Sequence, residues 1–398
     1  IGSIKNFTST KRLRVKDGKL IDVGDLGETN TGDPDELTGF INWGFKNYPA
    51  ERYMLILWNH GHAWQGYGGD SSSNKDKLTI AEMKSSIKAG LESVNIDKLD
   101  LLGFDACLMG DYTVANALNG YAKYMLLSAD FEPNNGWDYN DLKLFSSHPS
   151  ASSEELGRKL LAGFKKQSKS KGKHQSIALS LIDTEKFATF KGKFDGLLSE
   201  MKSSISNKAV RIGRSRVNTQ EYGRTPKLDV AYHMIDIGDL AKQLSFNGVI
   251  STEFKDDLLV KLDDVVVDKV HGRLTEKLSG ISIYFPVHKS YYADEFDDIA
   301  DTSAWREFLT AYYAKASSNS NVPYFSKDPS ANDGDKAGGD SCGNNVCNTK
   351  SGENPQNCEA DCEDPEAFDE GVCSDVNDDS KQCSGTYLVD CSGNSPQF

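Results

Sequence analysis

The chain has 398 residues, 38% of them hydrophobic and 26% charged, which is enough apolar material for one sizeable core and room for two or three domains. A formal net charge of -14 disfavours nucleic acid and anionic membranes as partners and favours solubility or cationic substrates. No apolar run approaches the ~18 residues of a membrane-spanning helix. In chain order, residues 10–24 alternate weakly and read as an edge strand or hairpin. Asp33 to Asn47 reads as a helix capped by Asp33, with Pro34 in its first turn and Leu37, Phe40, Ile41 and Phe45 on one face. Tyr53–Trp58 (YMLILW) is a continuous apolar run of the kind buried on both faces of a parallel sheet. A polar, Gly-rich loop follows from Gly66 to Lys77. Thr79–Val94 has helical spacing, Leu99–Phe104 is a second buried strand, Leu108–Leu118 reads as a helix, and Tyr124–Ser128 is a third strand. A helix over Glu154–Gln167, a strand over Ser176–Ile182 and a further helix come next. Val230–Leu244 holds an apolar segment and a helix, Phe254–Val270 a helix, Ile281–Phe285 a strand that stops at Pro286, and Ala304–Ala314 a final helix.

Strands alternating with helices argue for an α/β domain with a mostly parallel sheet flanked by helices. From Ser317 to Asp340 the composition turns to Ser, Asn, Asp and Gly without periodicity, which reads as a linker. The chain begins at Ile1 without an initiator Met or an apolar signal segment, so a processed form or a fragment is expected. Cysteine usage changes along the chain. Cys107 stands alone before the linker, and the last 57 residues hold Cys342, Cys347, Cys358, Cys362, Cys373, Cys383 and Cys391. Such a cluster reads as disulfides made in an oxidising, secreted setting, with the odd cysteine left over or paired beyond Phe398.

Chemistry concentrates at two strand ends. One reads Trp58-Asn59-His60-Gly61-His62-Ala63-Trp64 and the other Gly103-Phe104-Asp105-Ala106-Cys107-Leu108-Met109-Gly110. In open parallel sheets, sites form at the carboxyl ends of strands, so adjacent strands would bring His60 and Cys107 together. A cysteine nucleophile needs a base to take its proton and return it to the leaving amine, and His60 is the candidate. The amides of Gly61 and Cys107 are candidate oxyanion donors. By composition alone, a lone cysteine is more often a small buried hydrophobe and a lone histidine a structural one.

The stretch from Lys11 to Ala316 resembles family C11 of the cysteine peptidases, the clostripain family, within the clan of caspase, legumain and gingipain-like enzymes. The resemblance rests on YPAERYMLILWNHG at Tyr48–Gly61, LLGFDACLMG at Leu101–Gly110, EPNNGWDY at Glu132–Tyr139 and SGISIYFP at Ser279–Pro286. It implies a caspase-like sheet, a peptidase domain over residues 1–316, a linker over 317–340 and a Cys-rich disulfide module over 341–398. It also implies a His60–Cys107 dyad. Related domains carry a further strand and helix upstream of the matching region, and the expectation is that this chain lacks them. His62 is a competing base without a following glycine, and His271-Gly272 is a second His-Gly pair read as structural.

Asp105 is either a capping carboxylate or, as the resemblance implies, the floor of a pocket for substrate Arg or Lys. Asp130 and Glu132, after the next strand, are candidates for a second acid, the alternative being that either is simply solvated. Relatives are processed between the two catalytic strands after a basic residue, which makes Lys75 and Lys77 candidate cleavage points. The alternative is a plain surface loop. In the tail, Cys342–Cys362 resembles a short Cys-rich module of secreted proteins; its spacing is irregular for a zinc ribbon. Asp375–Asp379 imitates the start of a calcium loop but lacks the glycine and the closing Glu, so it reads as an acidic turn. No cofactor is required by this chemistry, and calcium is the one cation left open. The expected activity is endopeptidase cleavage after Arg or Lys on protein or peptide substrates. The alternatives are cleavage after Asn and a catalytically silent adhesion protein.

Overall fold

The computed structural model describes residues 9–323 apart from 226, 301 and 320. The expected Cys-rich module and most of the expected linker lie outside the described residues. β1 (Thr10–Lys16) and β2 (Lys19–Gly27) form an antiparallel hairpin. α1 (Pro34–Asn47) starts as its sequence dictates. The Asp33 side chain accepts from the Asp35 N–H, and Pro34 occupies the first turn, where a missing N–H costs nothing. β3 (Met54–Trp58) is followed by a short hairpin of β4 (Tyr67–Asp70) and β5 (Asp76–Leu78). α2 (Ile80–Glu92) opens with a capping box between Thr79 and Glu82. Then come β6 (Leu99–Asp105), α3 (Tyr112–Leu118), β7 (Ala122–Ser128), α4 (Leu144–Ser147), α5 (Ser153–Ser170) and β8 (Ala178–Asp183). The long α6 (Phe187–Val217) leads to β9 (Glu221–Tyr222), β10 (Met234–Asp236), α7 (Ile237–Phe246) and α8 (Thr252–Val265). β11 (Val266–His271), β12 (Ser282–Tyr284) and α9 (Ser303–Ala316) complete the fold.

The central sheet has the order β11-β8-β7-β6-β3. β3, β6 and β7 run parallel, whereas β8 is antiparallel to β7 and β11 antiparallel to β8. The sheet is therefore mixed, and its parallel half is the half that carries the candidate site. The reversal has a simple cause. The chain leaves β7, packs α5 on one face, and re-enters the sheet at the same end, where the Ala129 N–H bonds the Ala178 carbonyl at 2.8 Å. Alternate residues of the strands point into two apolar clusters. Leu57, Leu102, Phe104, Met125 and Leu127 face the side of α2, α3 and α6. Leu101, Leu126, Leu179 and Leu181 face Leu156, Leu160 and Phe164 of α5. Burial on both faces is why these strands read as unbroken apolar runs. A small sheet of order β12-β10-β9 sits in the larger cluster and is tied to the site region by the Ser282 N–H, which donates to the Gly110 carbonyl at 2.8 Å.

Two segments outside the Cys107 turn depart from the sequence reading. The helix expected over Phe254–Val270 ends at Val265, and the rest becomes β11. The β-branched run Val265-Val266-Val267 packs better on a pleated edge than in a helix turn. The expected free loop Gly66–Lys77 is instead the β4–β5 hairpin, anchored by Asp70. That carboxylate accepts the Thr31 N–H and hydroxyl at 2.9 Å each, the Ser72 N–H at 3.0 Å and the Ser73 N–H at 3.1 Å. Burial opposes ionisation there, but the Ser72 and Thr31 donors more than offset it and hold Asp70 below the usual carboxylate range.

Candidate active site

The carboxyl ends of β3 and β6 lie side by side. Trp58 is paired with Asp105, so the register continued by two residues sets His60 beside Cys107. Gly61 shows how closely the two extensions pack. A Cβ on it would stand 2.0 Å from the Cys107 carbonyl oxygen and 2.9 Å from Met109 Cγ, so only glycine fits. His60 is exposed, whereas Cys107 is 5% exposed.

The His60 turn closes on itself. The Gly68 N–H donates to the His60 carbonyl at 2.8 Å and the His62 N–H to the Gly66 carbonyl at 3.0 Å, around a bridge between Gly61 and Tyr67. The ladder uses the amides of His62 and Gly68, which leaves the Gly61 amide outside it. Past Cys107 the chain does not enter a helix directly, as the run from Leu108 to Leu118 had suggested. Leu108 takes a left-handed conformation (φ 64°) while fully buried, and α3 waits for its cap at Asp111. Such a conformation costs a branched side chain on the order of 1–3 kcal/mol. It is held by the Leu108 N–H donating to the Asp130 carbonyl at 3.1 Å and the Gly110 N–H to the Ser128 carbonyl at 2.6 Å. Cys107 Sγ accepts the Glu132 N–H at 3.3 Å.

Two buried acids lie close to each other near the Cys107 turn. Asp105 is 3% exposed, and its Oδ2 accepts the Trp137 N–H at 3.1 Å and the Tyr139 hydroxyl at 2.8 Å. Glu132 lies against it, with Oε1 accepting from Trp137 Nε1 at 3.2 Å. Burial pushes Glu132 well above the usual carboxylate range, and the Asp105 carboxylate adds to the effect. Asp130, the other acid considered, points elsewhere. Its Oδ1 accepts the Phe131 N–H at 2.8 Å and the Gly223 N–H at 2.9 Å. The structure thus brings His60, Gly61, Cys107, Asp105 and Glu132 together and leaves the Asp130 carboxylate behind them.

Of the remaining candidates, Lys75 is exposed at the β4–β5 turn with φ 60°. Lys77 is half-buried, and burial lowers its pKa. His62 is half-buried, and burial followed by the Lys77 charge lowers its pKa to about 4, so its ring is neutral. His271 closes β11 at the far edge of the sheet, its Nδ1 2.9 Å from the Gly272 carbonyl. Trp137, Tyr139 and Tyr232 were not singled out from sequence. The first two lie in the EPNNGWDY stretch and were within reach; Tyr232 carried no signal. Among the described residues, no group of three or more His, Cys, Asp or Glu is arranged to hold a metal ion, and no helix is long and apolar enough to cross a membrane.

A model of the clostripain family, peptidase family C11, matches residues 7–322. The chain belongs to the clostripain family. The clostripain of Hathewaya histolytica is 23% identical over 313 residues, taking in 65% of this chain and 58% of that protein, so the chain spans little more than half of that relative. Among solved structures, a secreted C11 cysteine protease from Bacteroides thetaiotaomicron, in complex with an irreversible peptide inhibitor, superposes with a TM-score of 0.53 at 14% identity, covering 76% of this chain and 85% of that one. An inactive zymogen C11 protease from Parabacteroides distasonis gives a TM-score of 0.51 at 18% identity, covering 76% and 82%. These likenesses show a fold shared over about three quarters of the chain.

Proposed function

We propose that this chain is a cysteine endopeptidase that cleaves after Arg or Lys, with Cys107 as nucleophile and His60 as its base. The observation that carries the reading is the strand register, which brings the His60-Gly61 turn against the Cys107 carbonyl. In the reduced chain His60 takes the Cys107 proton, and sulfur attacks the scissile carbonyl to give a tetrahedral oxyanion. The Gly61 and Cys107 amides are the donors for that oxyanion. Collapse expels the amine, which takes the proton from His60; water then hydrolyses the thioester with His60 again as base. The Glu132 N–H at the sulfur steadies charge on the leaving thiolate.

Asp105 and Glu132 form the floor for a basic side chain. A cation entering beside them compensates the buried carboxylate charge, whereas a neutral side chain leaves the acids without compensation. This favours Arg or Lys over Asn. Lys75, exposed at the hairpin tip, fits this preference and is the better of the two candidate self-processing points; Lys77 is partly sheltered in β5. Family likeness to a protease described as secreted, together with seven cysteines after residue 341, supports an extracellular setting.

The test is cleavage-site profiling on a peptide library with Cys107→Ala as the blank. The expected result is cleavage after Arg or Lys that vanishes in the blank. Normal turnover by Cys107→Ala would end the reading, and cuts after Asn would move the specificity while keeping the mechanism.

A further inference from the structure

Behind the candidate pair runs a chain of hydrogen bonds that the chemistry above does not use. His62 Nδ1 lies 3.0 Å from the Tyr232 hydroxyl and Nε2 lies 3.2 Å from the Gly68 carbonyl. Gly68 also donates its N–H to the His60 carbonyl at 2.8 Å, so one residue grips both histidines of the turn. On the other side, the Tyr232 N–H donates to the Gly223 carbonyl at 3.1 Å, and the Gly223 N–H donates to Asp130 Oδ1 at 2.9 Å. The Asp130 carbonyl accepts the Leu108 N–H, next to Cys107. The rings are packed as well: Tyr232 stacks near His62 at 6.4 Å and meets Phe131 edge-on at 6.0 Å. A side chain on Gly223 would strike Tyr232 Cβ at 2.7 Å and Leu108 Cδ2 at 3.1 Å, so this contact is tight.

We propose that His62 and Tyr232 are positioning residues, which with Gly223 and Asp130 tie the His60 turn to the Cys107 turn independently of the sheet. The inference rests on the reading of His60 and Cys107 as the catalytic pair. The β3–β6 ladder ends at Trp58 and Asp105, so strand pairing brings the two turns together but does not by itself hold their geometry beyond that point. Both turns contain a non-glycine residue in the left-handed region, Ala63 and Leu108, and strained turns hold their shape only when their surroundings over-determine it. The chemistry of the ring agrees with this role. The Gly68 carbonyl can only accept, so the proton of the neutral His62 ring belongs on Nε2 and Nδ1 accepts from the Tyr232 hydroxyl. A ring in that state is fully engaged and is not a rival base to His60.

The experiment compares Tyr232→Phe, His62→Leu and His62→Gln in the full chain, with kcat and KM on a P1-Arg peptide and a thermal melt for each. Tyr232→Phe and His62→Leu should each lower kcat on the order of tenfold with KM within about twofold, because misplacing the pair by a fraction of an ångström affects the chemical step. The double variant should be no worse than either single, since both break one link. His62→Gln should recover most of the rate, because its amide can donate to Gly68 and accept from Tyr232. Unchanged kcat in Tyr232→Phe and His62→Leu, or equal losses in His62→Leu and His62→Gln, would overturn the proposal. If His62→Leu fails to fold, Tyr232→Phe, which keeps the ring, decides alone. Iodoacetamide alkylation of Cys107 in the reduced protein, followed on its own peptide by mass spectrometry, reads the same link without turnover. A wild-type chain that turns over no peptide would remove the peptidase reading. Slower alkylation in Tyr232→Phe would then still support the link, and equal alkylation would refute it.

Discussion

Gly61→Ala tests the closeness on which the site depends. The new Cβ would stand 2.0 Å from the Cys107 carbonyl oxygen and 3.0 Å from the Cys107 carbonyl carbon. Ordinary contact needs about 3.4 Å, so one turn must retreat by more than 1 Å. Neither can do so cheaply, because both partners are backbone. Overpacking of this kind typically costs about 1–3 kcal/mol of stability. A displacement of about 1 Å at a reacting pair costs on the order of 100-fold in rate. The two effects are separated by Gly272→Ala, the same His-Gly dipeptide at the far edge of the sheet. There a Cβ would stand 1.9 Å from the Gln175 carbonyl oxygen, a clash of equal severity. β11 lies three strands from β6, on the order of 14 Å at ~4.8 Å per strand. Urea titrations should show similar destabilisation in the two variants. Initial rates on a P1-Arg reporter, corrected for folded fraction, should fall about 100-fold in Gly61→Ala and stay within about threefold in Gly272→Ala. Full activity in Gly61→Ala, or equal loss in both, would refute the argument that the Gly61–Cys107 approach sets the catalytic geometry.

Three other outcomes are expected. Asp105→Asn should lower the preference for P1-Arg over P1-Gln on the order of 100-fold through loss of a buried charge pair, whereas Asp130→Asn should shift that preference far less, since its oxygen serves backbone amides; kcat/KM for the two reporters in each variant checks both. Asp111 is fully buried, and burial raises its pKa to about 7, against ~3.9 in an unfolded chain. A raised folded value means that its contribution to stability is fully present below the unfolded value and is lost as pH rises through the folded one. Asp111→Asn, which keeps the cap on Thr113, should therefore gain on wild type by a few kcal/mol at most between pH 4 and pH 7.5, read by urea titration at the two pH values. Asp70→Ala removes the anchor of the β4–β5 hairpin and should speed self-cleavage after Lys75, followed by mass spectrometry; Lys75→Ala should suppress that cut, and a wild type never cut there would show the hairpin to be purely structural.

Local pattern was enough to place much of this molecule. Tyr53–Trp58 and Leu99–Phe104 are strands because an apolar run of that length has nowhere to go but between two layers. α1 and α2 begin where Asp33 and Thr79 offer their oxygens, since capping is settled within four residues. The candidate pair was visible for the same reason: His60 and Cys107 each follow a buried strand directly. What sequence could not decide was everything that depends on which segments meet. Val266–Val270 left its helix because β8 offered an edge for pairing. The Gly66–Lys77 segment became a hairpin because Asp70 found donors at Thr31, some forty residues earlier. Asp130 and Glu132 are two residues apart and look equivalent on paper. They part because the backbone after β7 turns Glu132 toward Asp105 and Cys107 and Asp130 toward Gly223, and burial then gives them different work. Tyr232 lies 170 residues from His62, and no local rule relates them; only packing of the loop before β10 onto the His60 turn brings the hydroxyl to the ring.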